Sequence, residues 1–77
     1  MTVNLVRCSH LADAFEQVAR VNHYMIGIVE DYTDEELLGA EQQLIARQNA
    51  GTQQGQRFAT FERALDMVAD AKRKRGL

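Results

Sequence analysis

The sequence has no proline and no tryptophan, and it carries a single cysteine, Cys8. One cysteine excludes a disulfide framework within the chain. The longest apolar run covers residues 24–29 and is far shorter than the roughly 18 to 20 residues that span a bilayer. A secretory signal, with its apolar segment and small-residue cleavage site, is also missing. We therefore expect a cytoplasmic protein.

The residues that are present favour helices. The chain has 77 residues, of which 45% are hydrophobic, and this is enough for one modest core. Alanine, glutamate, glutamine, leucine and arginine dominate its long segments, and the absence of proline removes the strongest helix breaker. The composition predicts one small all-α domain, residues 1–77, with three helices.

The clearest helix start lies at Thr33. Its hydroxyl can accept the backbone N–H of Glu36, whose carboxylate can reach back to the N–H of Thr33. This capping box predicts a helix over about 34–49, ended by Gly51 in a left-handed conformation. Its apolar residues recur at spacings of three and four and predict one dry face. They are Leu37, Leu38, Ala40, Leu44 and Ile45.

A polar linker follows at residues 51–55, framed by two glycines. Beyond it, an amphipathic stripe predicts a helix over about 57–75 with Gly76 past its end. A short polar linker between two helices predicts a helical hairpin.

The N-terminal third permits two interpretations. Ser9 as N-cap predicts one long helix over about 10–30. The β-branched and aromatic residues in this stretch also permit a shorter helix and a strand over 24–30, which would make the fold α+β. Residues 2–7 alternate like a strand and predict a short extended segment before the first helix.

The sequence lacks the patterns that catalysis or metal binding requires. Cys8, His10 and His23 do not have the paired spacing of a structural zinc site. No segment matches a phosphate-binding glycine loop. We therefore predict a protein that is not an enzyme and that has no catalytic residue, no metal site and no cofactor.

Charge is distributed unevenly along the chain. Residues 1–50 contain three basic and eight acidic residues, a net charge of −5, and residues 51–77 contain six basic and three acidic residues, a net charge of +3. Helix capping and helix dipoles explain part of this asymmetry. The remainder predicts an acidic protein-binding surface comprising Glu30, Asp31, Asp34, Glu35 and Glu41. A basic C-terminal patch comprises Lys72, Arg73, Lys74 and Arg75.

The stripe of the last helix has two interpretations. Its large apolar residues are typical of a core, but a chain this short often covers exposed apolar area by self-association. The second interpretation predicts a homodimer or partner face formed by Phe58, Phe61, Leu65 and Val68.

These features favour a small non-catalytic protein that binds another protein as a regulator, adaptor or stoichiometric inhibitor. Its size and charge are similar to those of accessory proteins of phages and plasmids. The alternative is a dimeric DNA-binding regulator of ribbon-helix-helix type, in which Asn4 on the N-terminal strand would face the major groove. The net charge of −5 in residues 1–50 repels phosphate and disfavours a nucleic-acid partner.

Overall fold

The computed structural model describes residues 4–21, 29–53 and 58–77. These residues form helix α1 (Leu5–Val21), a short 3₁₀ helix (Val29–Asp31), helix α2 (Asp34–Gln53) and helix α3 (Phe58–Arg75). Within these ranges there is no β-strand, and the three α-helices pack together. The predicted all-α fold with three helices is confirmed.

Helix α1 begins earlier than predicted because Asn4 is its N-cap. The side-chain Oδ1 of Asn4 accepts the N–H groups of Val6 and Arg7 at 3.1 and 3.2 Å, and its carbonyl oxygen accepts the N–H of Cys8 at 3.0 Å. One side chain thereby satisfies two donors that a helix start leaves without partners. The predicted extended segment is wrong from Leu5 onward, and the predicted start at Ser9 is wrong; residues 2 and 3 lie outside the described ranges.

The region between α1 and α2 matches neither interpretation of the N-terminal third. Helix α1 is described through Val21, and residues 29 and 30 belong to the 3₁₀ helix, so the single helix over 10–30 is wrong at its C-terminal end. Residues 22–28 lie outside the described ranges. Val29 and Glu30 belong to the 3₁₀ helix, so the predicted strand is wrong there as well. The rest of that strand, residues 24–28, lies outside the described ranges.

Helix α2 begins where the capping box predicts and ends later than predicted. The N–H of Thr33 donates to Oε1 of Glu36 at 2.8 Å, and the N–H of Glu36 donates to Oγ1 of Thr33 at 3.1 Å. The helix continues through Gly51 to Gln53, so Gly51 is not a left-handed cap. A glycine inside a helix costs about 1 kcal/mol of stability relative to alanine, but this cost does not end α2 at Gly51. The predicted linker over 51–55 is therefore wrong at residues 51–53, and its residues 54 and 55 lie outside the described ranges.

The C-terminus of α3 confirms the prediction for Gly76. This glycine has a φ of 75°, which glycine adopts without steric cost. Its N–H donates to the carbonyl of Arg73 at 3.1 Å, and the N–H of Leu77 donates to the carbonyl of Lys72 at 2.8 Å. This pair of bonds is the Schellman motif that ends many helices.

The three helices share one core. Helices α2 and α3 run antiparallel, since Asp34 at the start of α2 contacts Arg75 at the end of α3, and this confirms the predicted hairpin. Arg63 near the start of α3 donates to the carbonyl of Ala19 at 2.6 Å, which places the end of α1 there. The buried core residues are Leu11, Ala12, Phe15, Ala19, Leu37, Ala40, Leu44, Phe61, Ala64 and Val68.

Two of the four residues of the stripe on α3 are buried in the core. Phe61 and Val68 are buried in the core, and Leu65 is half-buried against it. Phe61 and Val68 are therefore not available to a homodimer or partner face. Phe58 begins α3, but its side chain lies outside the described part of the structure.

None of the helices among the described residues has both the length and the apolar character needed to cross a membrane.

Candidate interaction surface at the start of the second helix

Arg7 connects α1 to the turn that precedes α2. Its Nε donates to Oε2 of Glu36 at 2.7 Å, and its Nη2 donates to the carbonyl oxygen of Asp31. Its guanidinium lies over the ring of Tyr32, 4.5 Å from the centroid, in a cation–π contact. This one side chain therefore holds the turn at three points.

Arg75 holds the same turn from α3. Its Nη1 donates to Oδ1 of Asp34 at 2.8 Å, and its Nη2 donates to the carbonyl oxygens of Val29 and Tyr32 at 2.5 and 2.7 Å. A guanidinium carries five donors in a fixed planar geometry, which suits it to bridge several acceptors. Residues 29–36 are thus anchored by arginines from both other helices.

The surroundings of Glu36 and Cys8 shift their pKa values in opposite directions. The hydrogen bond from the Thr33 N–H lowers the pKa of Glu36, and Arg7 lowers it further against the opposing effect of burial. Cys8 is buried, and burial raises the pKa of its thiol, with a smaller contribution from the negative charge of Glu36. The raised pKa of the Cys8 thiol does not activate it as a nucleophile, because a reactive thiol needs a lowered pKa.

Most acidic residues of the first fifty are paired with basic groups. Asp13 and Glu16 contact Arg47 at 2.8 and 3.2 Å, and Glu41 contacts Lys72 at 3.2 Å. Asp34 is paired with Arg75, and Glu36 is paired with Arg7. The paired set is therefore Asp13, Glu16, Asp34, Glu36 and Glu41.

Three carboxylates remain, and all three belong to the segment of residues 30–35. Glu30, Asp31 and Glu35 are exposed, and no cation of the described residues pairs with their carboxylates. They occupy the 3₁₀ helix and the first turn of α2. Of the five predicted acidic-surface residues, the structure leaves these three unpaired and assigns Asp34 and Glu41 to contacts with α3.

The basic C-terminal patch is divided between two roles. Lys72 and Arg75 face α2 and the turn, and their side chains are 27% and 21% exposed. Arg73 and Lys74 point outward with exposures of 75% and 77%, and both contact Asp70 within α3. The four residues therefore do not form one continuous cationic surface.

The predicted dry face of α2 is narrower than the sequence indicated. Leu37, Ala40 and Leu44 are buried, but Leu38 and Ile45 are 38% and 37% exposed. Spacings of three and four define a broad apolar face. Helices α1 and α3 cover the part of that face formed by Leu37, Ala40 and Leu44 and leave Leu38 and Ile45 exposed. Leu38 and Ile45 are not predictable as surface residues from the sequence, because they follow the same periodicity as the core residues of α2.

The side chains that could bind a metal ion are not grouped together in the described part of the chain. Within the described ranges, no group of three or more histidine, cysteine, aspartate or glutamate side chains is placed to hold a metal ion. Cys8 is buried and His10 is exposed, and His23 lies outside the described residues. A metal site would need several such ligands around one point.

Comparison with protein-family models, with curated proteins and with solved structures finds no match to this chain.

Proposed function

We propose that this chain is a small non-catalytic regulator, adaptor or stoichiometric inhibitor that binds another protein through the acidic start of α2. The observation that carries this proposal is the set of three exposed carboxylates, Glu30, Asp31 and Glu35, with which no cation pairs in the part of the chain that the structure describes. Five of the eight acidic residues in the first fifty are paired with basic groups, and no ion pair among the described residues accounts for these three. A cationic partner surface would complement them.

The segment that carries these carboxylates is held in place by contacts with the other two helices, and this favours binding. Arg7 and Arg75 fix the turn from two directions, and the capping box fixes the first turn of α2. A surface that is already ordered loses less conformational entropy when a partner binds. Charge complementarity on such a surface contributes mainly to specificity and to the rate of association.

The ribbon-helix-helix alternative is not favoured by any contact. That architecture needs a strand through the N-terminal residues, and Leu5–Arg7 belong to α1. Asn4 uses its side-chain oxygen to cap α1. A titration of nonspecific duplex DNA at low salt is expected to give no binding, and a salt slope equivalent to several released counterions would support the alternative instead.

The proposal is tested by neutralising the three carboxylates in the full chain. The E30Q/D31N/E35Q variant and an E62Q/D66N control are immobilised beside the unmodified chain in extracts of the native host, and the captured proteins are quantified. Glu62 and Asp66 are exposed acidic residues of α3, so the control removes negative charge from another surface. We expect one protein to be captured by the unmodified chain and the control and lost with the triple variant.

The captured protein is then purified and its affinity measured as a function of salt. An affinity that falls with salt for the unmodified chain supports an acidic interface. Equal affinity for the triple variant would contradict the proposal, since the three carboxylates would then contribute nothing to binding.

A further inference from the structure

The surface of α2 carries a row of four exposed residues. The row follows the segment of residues 30–35, termed here the acidic turn, which contains Glu30, Asp31 and Glu35. Glu35, Leu38, Gln42 and Ile45 follow each other at spacings of three and four, which places them on one side of the helix. All four are exposed, and the two apolar members are 38% and 37% exposed. Leu38 and Ile45 are seven residues apart, or about 10.5 Å along the helix axis.

The row, termed here the α2 outer row, has two different borders. On the side of α3, Glu41 accepts hydrogen bonds from Lys72 at 3.2 Å with both carboxylate oxygens, so that border is already paired. At its N-terminal end the row begins with the carboxylate of Glu35, and Asp31 and Glu30 lie four and five positions earlier in the 3₁₀ helix. The row therefore carries two apolar side chains about two turns apart, with Gln42 between them, and a negative charge at its N-terminal end.

We infer that the α2 outer row binds an amphipathic helix of a partner protein with two apolar residues seven positions apart and a cluster of Lys or Arg at its C-terminal end. The inference rests on the proposed function and names the partner's chemistry. The apolar pair matches Leu38 and Ile45 across two helical turns, as in other complexes of a helix with a groove or face.

The direction of the bound helix follows from charge. Its basic end lies over the start of α2, where the carboxylates are, and the helix therefore runs antiparallel to α2. Lysine and arginine are favourable in the last turn of a helix because they complement its dipole. The basic cluster thus satisfies both the partner's own helix and the acidic turn.

A second copy of the chain fits this surface less well. Among the described residues, its exposed cations are Arg20, Arg63, Arg73 and Lys74. Of these, Arg73 and Lys74 are adjacent near the end of a helix, and the turns that precede them carry Asp66 and Asp70. An α3 helix laid along the α2 outer row would therefore bring acidic side chains toward the acidic turn. Like charges brought together across an interface oppose association.

The test selects ligands for the full chain from a displayed library of helical 18-residue peptides with random exposed positions. Enriched peptides are synthesised, and their affinities are measured by fluorescence anisotropy. The expected sequences carry an apolar pair at i and i+7 followed by two or more Lys or Arg residues. Absence of enrichment, or enriched peptides without this pattern, would overturn the inference.

Three variants locate the bound peptide. Gln42→Lys places a cation in the middle of the row at an exposed position, so it leaves the core untouched, and we expect about tenfold weaker binding. The L38Q/I45Q variant is expected to weaken binding by a similar factor, with circular dichroism confirming that it remains helical. E62Q/D66N is expected to bind as the unmodified chain does, and equal binding to all variants would overturn the inference.

Light scattering of the free chain tests whether a second copy of the chain covers the α2 outer row. A dimeric mass that Gln42→Lys converts to a monomer would show that a second copy covers the row and would overturn the inference. The inference also fails separately from the proposed function. If the captured host protein needs the three carboxylates but binds the L38Q/I45Q and Gln42→Lys variants unchanged, the acidic surface stands and the apolar row does not.

Discussion

Arg7 of α1 and Glu36 of α2 form an ion pair with 2.7 Å between Nε and Oε2. The other carboxylate oxygen of Glu36 accepts the N–H of Thr33 at 2.8 Å. A single carboxylate therefore completes the cap of α2 and ties that cap to α1. Its side chain is 9% exposed, so neither bond is readily replaced by water.

Glu36→Gln is expected to lower the free energy of unfolding and to remove part of its pH dependence. The pKa of Glu36 is lowered from its ordinary value of 4.5, chiefly by the Thr33 N–H and then by Arg7. A lowered pKa in the folded chain adds stability above pH 4.5, and that stability is lost as the pH falls toward the folded-state value. Urea unfolding at pH 7 and at lower pH measures both effects.

Glu35→Gln is the matched control for that experiment. Glu35 neighbours Glu36 in the first turn of α2, but it is exposed and unpaired among the described residues. Its neutralisation is expected to change the unfolding free energy by less than about 0.5 kcal/mol. Equal effects of the two substitutions would show that the charge of the first turn matters and that the specific bonds of Glu36 do not.

Arg75→Ala is expected to destabilise the chain far more than Arg73→Ala. Arg75 donates to the carboxylate of Asp34 and to two carbonyl oxygens, and hydrogen bonds from a charged donor contribute about 1.5 to 3 kcal/mol. Arg73 is 75% exposed and contacts only Asp70 at 3.5 Å, and such surface pairs contribute 0 to about 1 kcal/mol. We expect losses of about 1 to 3 kcal/mol and less than about 0.5 kcal/mol, measured by urea unfolding. Similar losses for both would show that Arg75 does not hold the turn.

Local patterns in the sequence predicted the features that depend on a few neighbouring residues. The cap of α2 needs only Thr33 and Glu36, which are three positions apart, and the end of α3 needs only Gly76. Such bonds form within one turn, so spacing alone indicates them. The periodicity likewise predicted a helix over residues 58–75, and its predicted first residue, 57, lies outside the described residues.

Features that depend on distant residues were not predictable in the same way. The partners of Arg7 and Arg75 lie 24 to 46 positions away in sequence, and no spacing rule relates them. Their contacts decide which acidic residues are paired, and thus which remain for binding. At the N-terminus, six alternating residues were compatible with a strand, and the cap by Asn4 favoured the helix instead.

Burial on α2 can be tested with two adjacent residues of similar size. Leu44 is fully buried, and Ile45 is 37% exposed. Leu44→Ala leaves a cavity in the core and is expected to cost about 2 to 5 kcal/mol. For a chain of this length the total stability is about 4 to 12 kcal/mol, so this loss lowers the melting temperature markedly. Ile45→Ala is expected to cost less than about 1 kcal/mol in the same thermal unfolding experiment.

The thiol of Cys8 should report on opening of the fold. Cys8 is fully buried, and burial together with the charge of Glu36 raises its pKa above the ordinary 9.0. Ellman's reagent at pH 8 is therefore expected to react with the folded chain orders of magnitude more slowly than with the chain in guanidinium. A C8S/H10C variant places the thiol at an exposed position of α1 and should react rapidly while folded. Rapid reaction of the unmodified chain under native conditions would show that the first turns of α1 do not stay packed on α2.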